Sequence, residues 1–565
     1  MVFLPYIFPY IYVKTYLYLI NKKLLMKITL FSIYPDIASY GIRTISSVLK
    51  KEGHSVDVVF LTKEFYERFE EETLDDLVKM TKDSDLIGIS LMSNFWDNAI
   101  QITEKLKKHY NTPIVWGGTH PTVRPVECLE HADMVCISES EQPLVELTRK
   151  MTNGQNYTDI KGMGFNVNGK IINNGHGPLP GAKDSMFTHL DEVPHQDYDW
   201  KSHYILKKGK VIPMDIETLN KENVSYMTMP TRGCPFACTF CVNSEFLKMY
   251  PHQKPIRMRT VDHIIEELKI VKDTLPFVKH ILFSDDAFFL MSLATIKEFS
   301  KKYKEQIGMP LIITGATPST LTKTKLSVLA DAGLIELRMG IQTLAENSKK
   351  LYKRPHSNKA IMDAVKIINT EKDRVNAKYD FILESPWDTE DNQIETLRFV
   401  AQIPAPYQLN LFRLVFFPGT DLYHRAKKEG IVKNDIEDIY RRHYGDESLE
   451  RTYLTKLFYL MSDYGSLRKA VPYPIMHFLT NKIKWLTPVH VISLFILQTN
   501  FRILRRTNRT ILKLLRFKDK MFPQKKLNTA EPIIVNSVQE TPLKENLIQE
   551  APVQLAVAQE THAKI

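Results

Sequence analysis

Met229-Pro-Thr-Arg-Gly-Cys-Pro-Phe-Ala-Cys-Thr-Phe-Cys-Val-Asn-Ser244 places Cys234, Cys238 and Cys241 at C-x3-C-x2-C spacing, directly after the β-like run Val224–Met229. Thiolates are soft ligands suited to iron–sulfur clusters or zinc. A loop this short wraps one cubane but does not easily pair three cysteines as disulfides, and an odd count argues the same way. Ferredoxin-type clusters and structural zinc sites take four protein ligands. Here only Cys128 and Cys136 remain, far upstream, so three thiolates hold three irons and one metal position stays open to a small-molecule chelate. Gly233 and Pro235 let the loop turn tightly. The competing reading is a zinc knuckle completed by His252.

With Phe240 just before the last cysteine, the motif resembles the radical S-adenosylmethionine (SAM) superfamily, and the order of motifs over residues 26–430 is similar to that family's. The resemblance implies a [4Fe–4S] cluster on Cys234, Cys238 and Cys241 that chelates SAM through its amino and carboxylate groups. It further implies reductive cleavage of SAM to a 5′-deoxyadenosyl radical, which takes hydrogen from an unactivated carbon. The electron would come from a small donor such as ferredoxin or flavodoxin.

Upstream of the loop, short apolar strands alternate with amphipathic helices: Ile28–Ser32, a helix through Ile42–Lys51, Val56–Leu61, Leu86–Ser90, a helix through Ala99–Tyr110, Pro113–Trp116, Met134–Ile137 and a helix from Pro143. Such alternation predicts a doubly wound, Rossmann-like parallel sheet over residues 26–151. Ligands bind these sheets at the carboxyl ends of the strands. Three of those ends carry small or polar residues: Ser90-Leu-Met-Ser93, Gly117-Gly-Thr-His-Pro121 and Ser138-Glu-Ser-Glu141. Trp116-Gly-Gly-Thr-His-Pro-Thr122 together with Ala132–Glu141 resembles the cobalamin-binding domain found in front of many radical SAM barrels. The resemblance makes Ser90, Gly117, Gly118 and Glu139 cobalamin contacts. It lacks the D-x-H-x-x-G motif that supplies a lower axial histidine elsewhere, and its usual G-E-G-E turn is Ser138-Glu-Ser-Glu here. Residues 152–223, with a hairpin expected around Asn168-Gly169, read as a linker.

Downstream, the alternation resumes as helix Thr260–Lys272, strand His280–Phe283, helix Leu293–Gln306, strand Leu311–Thr314, helix Thr322–Ala332, strand Ile335–Met339, helix Lys359–Thr370, strand Ala377–Leu383, helix Asn392–Ile403 and strand Leu409–Phe416. Counted with Val224–Met229, this predicts an open six-stranded (β/α)6 barrel over 224–430 with its site at the carboxyl ends of the strands. The family resemblance turns the strand ends into a SAM pocket. Asp285 and Asp286 would accept hydrogen bonds from the amino group or ribose. Gln342 in Met339-Gly-Ile-Gln-Thr343 would contact SAM, and Arg354 would pair its carboxylate. Glu384 stands where the family usually has glycine, and Pro418-Gly-Thr420 matches the last-strand P-G-T.

In composition the 565 residues are 44% hydrophobic and 25% charged, ordinary for two or three globular domains. Five cysteines exclude a disulfide scaffold and fit a reducing, cytoplasmic setting. Of the net charge of +10, residues 501–526 carry ten Lys/Arg against one Asp, so no nucleic-acid surface is expected on the rest. That stretch belongs to a helical, basic region over 431–526. It sets an apolar stripe beside arginines and reads equally as a helix lying on an anionic membrane surface or as a helix packed on the barrel. Residues 1–25 read as an apolar leader, an upstream extension or a membrane-touching anchor, and 527–565 as a disordered tail with proline every ten residues.

The function expected is cobalamin-dependent methyl transfer to an unactivated carbon of a small-molecule or lipid-like substrate. A cyclase or oxidoreductase of the same superfamily is the alternative within the class. A metal-stabilised, non-catalytic binding protein at a membrane surface is the alternative outside it. Methylthiotransferases fit less well, since they add a domain with three cluster cysteines of its own.

Overall fold

A computed structural model of the chain describes residues 25–499, apart from 223, 444, 446–447, 451, 467–471 and 482–491. The leader before residue 25, the basic stretch 501–526 and the repeat tail lie outside the described residues. The described residues divide into two compact units, the first holding those up to 279 with 416–442, the second 280–415 with those from 443 on.

In the first unit, β1 (Lys27–Ser32), β2 (Ser55–Phe60), β3 (Leu86–Ser90), β4 (Ile114–Gly117) and β5 (Met134–Cys136) form a parallel core in the order β2-β1-β3-β4-β5. That is the flavodoxin-like doubly wound order, whose switch point lies between β1 and β3. The strands read as continuous apolar runs because both faces are covered: Ile28, Phe31, Val58, Val59, Ile87 and Trp116 are all buried. Trp116 keeps its indole N–H satisfied by donating to Thr103 Oγ1 at 2.9 Å.

The stretch expected to be a linker is instead part of this sheet. β6 (Met163–Val167) and β7 (Lys170–Asn173) extend one edge antiparallel. β8 (His203–Lys207) pairs parallel with β2, and β9 (Lys210–Pro213) closes the other edge. The Asn168-Gly169 turn has φ of 52° and 83°, the left-handed pair that a tight hairpin requires. Pro and Asn in this stretch suggested a linker, but its short strands cap sheet edges that would otherwise be open to pairing. The segment between is tied back by Asp197, which accepts from Ser46 Oγ at 2.6 Å and pairs with Lys50 at 2.8 Å.

After β10 (Ser225–Thr228) come the short strands β11 (Thr231–Arg232) and β12 (Arg257–Met258), paired antiparallel. The second unit holds β13 (His280–Phe283), β14 (Leu311–Ala316), β15 (Leu334–Gln342), β16 (Asn376–Leu383) and β17 (Gln408–Arg413), parallel and adjacent in sequence order. Right-handed crossovers between parallel strands laid down in sequence order put every helix on one face, which is the winding of βα barrels. Of the six strands expected for the barrel, β10 belongs to the first unit. The alternation along β15 shows the two faces: Leu337, Met339 and Ile341 are buried, while Glu336, Arg338 and Gln342 are half-buried. On that second face Lys378 pairs with Glu336 at 2.9 Å, and Asp380 accepts from Arg338 at 2.6 Å and from Asn410 at 2.9 Å.

The connecting helices begin at side-chain caps, Ser292, Thr322, Ser357 and Thr389, each accepting a backbone N–H of the first turn. The helix Tyr453–Ser466 packs on β17, where Ser462 Oγ accepts from Leu409 N at 3.0 Å. The expected end of the barrel near Gly430 is not where the units divide, since residues 416–442 fold into the first unit.

Candidate active site

The cysteine loop is the long excursion between β11 and β12. Arg232 and Arg257 stand directly opposite each other at its neck, and Gly233 follows with φ 89°. A Cβ on Gly233 would lie 2.3 Å from the Pro255 carbonyl oxygen, so only glycine fits. Cys238 is buried and Cys234 and Cys241 are half-buried, and none of the five cysteines is in a disulfide. The loop leads into the helix Asn243–Met249: the Cys238 carbonyl accepts from Cys241 N at 3.1 Å, and the Cys241 carbonyl accepts from Ser244 N at 3.1 Å and Ser244 Oγ at 2.7 Å. Its far side is held by the Pro418-Gly-Thr420 turn and the helix Asp421–Lys428. Leu422 N donates to the Thr239 carbonyl at 3.0 Å, and Asp421 pairs with Lys248 at 2.6 Å.

Among the described residues no three His, Cys, Asp or Glu side chains converge as a metal cage. The three thiols are therefore gathered by sequence onto one tethered loop rather than drawn together. The donor set still fits an iron–sulfur cluster: soft ligands only, on a loop fixed at both ends, with His252 exposed on the surface. Cys128, at the end of the short helix Pro125–Cys128, and Cys136, on β5, are both buried. Burial pushes the Cys136 thiol up to about 12 and raises Cys128 well above its usual value, so both stay protonated and inert.

The residues expected at cobalamin sit at the carboxyl ends of the parallel strands. Ser90 Oγ, at the β1/β3 switch point, lies 3.2 Å from Tyr34 Oη. Gly117 is half-open: a Cβ there would meet nothing nearer than Ser140 Oγ at 3.7 Å, so the position can take a ligand's approach. Gly118 differs. With φ 105° and the Leu91 carbonyl oxygen 2.6 Å from a would-be Cβ, it is glycine for the protein's own backbone. Ser138 adopts φ 77°, a left-handed position that favours glycine, whereas Ser140 is right-handed and needs no glycine.

Glu139 is held by the protein's own side chains: its carboxylate accepts from Arg232 at 2.9 Å and from both prongs of Arg257. Burial works against its ionisation, yet Arg257 and Arg232 hold its carboxyl down at about 2. Glu141 accepts from Arg232 at 2.6 Å. Neither arginine was singled out in the sequence, although Arg232 sits inside the quoted motif.

In the second unit, Asp285 is buried, and its Oδ1 accepts its own neighbour's amide, Ala287 N, at 2.8 Å. That bond closes a local turn, a role acidic residues often play after a strand. Asp286 is half-buried beside it. Gly315, unnoticed in the sequence, has φ 77°, and a Cβ there would lie 1.9 Å from the Asp285 carbonyl oxygen. Gln342 and Arg354 do converge. Gln342 has φ 70° and turns its amide over Gly340, where a Cβ would meet Nε2 at 2.7 Å, and Arg354 donates to the Gly340 carbonyl at 2.6 Å.

Residues 26–148 match the B12 binding domain and residues 228–400 the radical SAM superfamily, together more than half of the chain. The chain is 25% identical over 395 residues to an uncharacterised methyltransferase of Pyrococcus horikoshii, covering 68% of this chain and 78% of that protein. It is 24% identical over 383 residues to bacteriochlorophyllide d C-8(2)-methyltransferase of Chlorobaculum tepidum, covering 65% and 73%. In fold it is similar to the cobalamin-dependent radical enzyme OxsB, solved with aqua-cobalamin and SAM, with TM-score 0.59 at 15% identity over 88% of this chain and 82% of that one. It is also similar to the methyltransferase TsrM of Kitasatospora setae, solved with cobalamin and a [4Fe–4S] cluster, with TM-score 0.55 at 16% identity over 72% and 78%. A radical SAM domain uses a [4Fe–4S] cluster and SAM, and a B12 domain takes cobalamin, so the cofactors expected from the sequence stand. With a doubly wound B12 domain ahead of a C-x3-C-x2-C loop and a parallel βα sheet, the chain belongs to the radical SAM superfamily, in the group that carries a cobalamin-binding domain.

Proposed function

We propose that the protein transfers a methyl group to an unactivated carbon of a small molecule. The observation that carries this reading is the loop of Cys234, Cys238 and Cys241 in the same compact unit as the B12 domain, in a chain whose curated relatives are named methyltransferases. The bound cofactors supply the hard chemistry, reductive cleavage of SAM and carriage of the methyl group. The chain's own residues hold and orient. The three thiolates bind the cluster, the strand ends at Ser90 and Gly117 receive cobalamin, and Gln342 and Arg354 around Gly340 bind SAM. A small electron donor such as ferredoxin or flavodoxin completes the system. The test is anaerobic reconstitution with iron, sulfide and cobalamin, followed by assay for 5′-deoxyadenosine and S-adenosylhomocysteine. Formation of neither, with cluster and cobalamin bound, would remove methyl transfer.

A membrane-surface location is a second reading, favoured by residues 492–499. They are helical and leave Ile492, Phe495 and Ile496 exposed, Phe495 by 67%, just ahead of the basic stretch. No described helix is long and apolar enough to cross a membrane. Apolar side chains followed by ten Lys/Arg suit an anionic lipid surface. Deleting residues 488–526 should abolish co-sedimentation with anionic vesicles and leave cluster content unchanged. Loss of the cluster in that variant would make the segment a packing element.

A further inference from the structure

Two arginines face each other across the β11–β12 ribbon, at the neck of the excursion that carries all three cluster cysteines. Like charges directly opposite on an antiparallel pair repel, and this ribbon has only two residue pairs with which to resist. What holds it closed comes from another part of the first unit. Glu139, on the turn after β5, and Glu141, the first residue of the helix Glu141–Thr152, reach Arg232 at 2.9 and 2.6 Å, and Glu139 also takes both prongs of Arg257. All four side chains are more than nine-tenths buried. Arg257 further donates to the Pro180 carbonyl at 2.6 Å.

We infer that Glu139, with Glu141, is a positioning residue for the iron–sulfur cluster, stapling the neck of the cysteine loop through Arg232 and Arg257, and is not a ligand of cobalamin. Arg232 lies two residues before Cys234 with Gly233 between, so a shift of the staple moves the first thiolate. Gly233 packs against the Pro255 carbonyl at the same neck. Because the staple starts on a strand-end turn of the B12 domain, it fixes the cluster loop to the domain that receives the second cofactor. The inference rests on the cluster being held by Cys234, Cys238 and Cys241.

The experiment compares wild type, Glu139→Gln, Arg257→Gln and the double variant, each reconstituted with iron and sulfide. The readouts are the rate of iron loss to a chelator, the electron paramagnetic resonance of the reduced cluster, and hydroxocobalamin affinity by absorption titration. Each single variant should lose iron roughly tenfold faster, the order expected when groups supporting metal ligands are removed. Each should also shift the cluster's resonance. The double variant should be no worse than the sum of the two, and cobalamin affinity should stay within about twofold of wild type, as expected when no group contacts the ligand. Should Glu139→Gln fail to fold, Arg257→Lys keeps the charge without the fork and carries the same readouts. Unchanged iron loss and resonance, or a tenfold loss of cobalamin affinity with the cluster intact, would overturn the inference. A wild type that takes up no iron would instead refute the cluster assignment beneath it.

Discussion

Glu384 occupies a left-handed backbone position, φ 56°, and its carboxylate lies 3.2 Å from the Arg413 guanidinium as an ion pair. A second carboxylate oxygen accepts from the backbone N–H of Glu450. The family resemblance puts glycine at this position, and the conformation explains why, since an L side chain pays roughly 1 kcal/mol there. Here contacts to β17 and to the chain after it hold the strained residue in place. Glu384→Ala keeps the strain and loses the contacts, whereas Glu384→Gly loses the contacts and sheds the strain. Thermal melts should therefore rank wild type and Glu384→Gly close together and Glu384→Ala below them. An alanine variant as stable as glycine would show that the left-handed conformation is absent in solution.

Gly117 and Gly118 separate by substitution. Gly117→Ala has room for its Cβ and should fold with a melting temperature near wild type, yet lower cobalamin affinity if the cofactor reaches this strand end. Gly118→Ala drives a Cβ into the Leu91 carbonyl at a left-handed φ and should destabilise the first unit by roughly 2 kcal/mol or more. Titration with hydroxocobalamin and a melt on each variant test both. A stable Gly117→Ala with unchanged affinity would move the cofactor away from β4.

Acid should weaken the first unit below pH 6.5. Burial pushes the His120 imidazole down to about 3, with Arg124 adding to the effect and Asp435 opposing it. His203, also buried, is lowered to about 4. An unfolded histidine takes its proton near pH 6.5. Below that pH the unfolded chain binds protons that the folded one refuses. The stabilisation is complete above pH 6.5 and is lost as pH falls toward the folded values, by up to about 1.4 kcal/mol per pH unit for each histidine. Denaturant melts of His120→Gln between pH 7 and 5 should show a shallower decline than wild type. Equal slopes would mean that His120 is solvated.

Replacing Cys128 and Cys136 by Ala or Ser should leave iron and sulfide content at wild-type levels, because burial keeps both thiols protonated inside the first unit. Ala at either site trades a small apolar side chain for a slightly smaller one and should cost on the order of 1 kcal/mol. Loss of iron in either variant would place a cluster ligand outside the loop.

Much of this was legible in the sequence because local chemistry and topology agree. His280–Phe283 and Leu293–Gln306 have the bounds read from periodicity, and Asn168-Gly169 makes the hairpin its dipeptide specifies. What the sequence did not show depends on partners distant in it. Glu139 looked like a ligand because a carboxylate at a strand end is polar and available. Only the fold brings Arg232 and Arg257 to it. Residues 152–223 looked like a linker because the short edge strands within them carry weak alternation, and the pairing of those strands to β5 and β2 is set by the sheet. Asp285 was one of a conspicuous pair, and its Oδ1 also closes its own turn, while Gly315, which lets the Asp285 backbone pass, has no local signal.

The most direct test of the account is iron, acid-labile sulfide and paramagnetic resonance on the anaerobically reconstituted protein, before and after adding SAM. The account predicts one [4Fe–4S] cluster per chain, a reduced-state spectrum that changes on adding SAM, and loss of both in Cys234→Ala, Cys238→Ala and Cys241→Ala. Stoichiometric zinc without acid-labile sulfide, or a cluster spectrum indifferent to SAM, would contradict it.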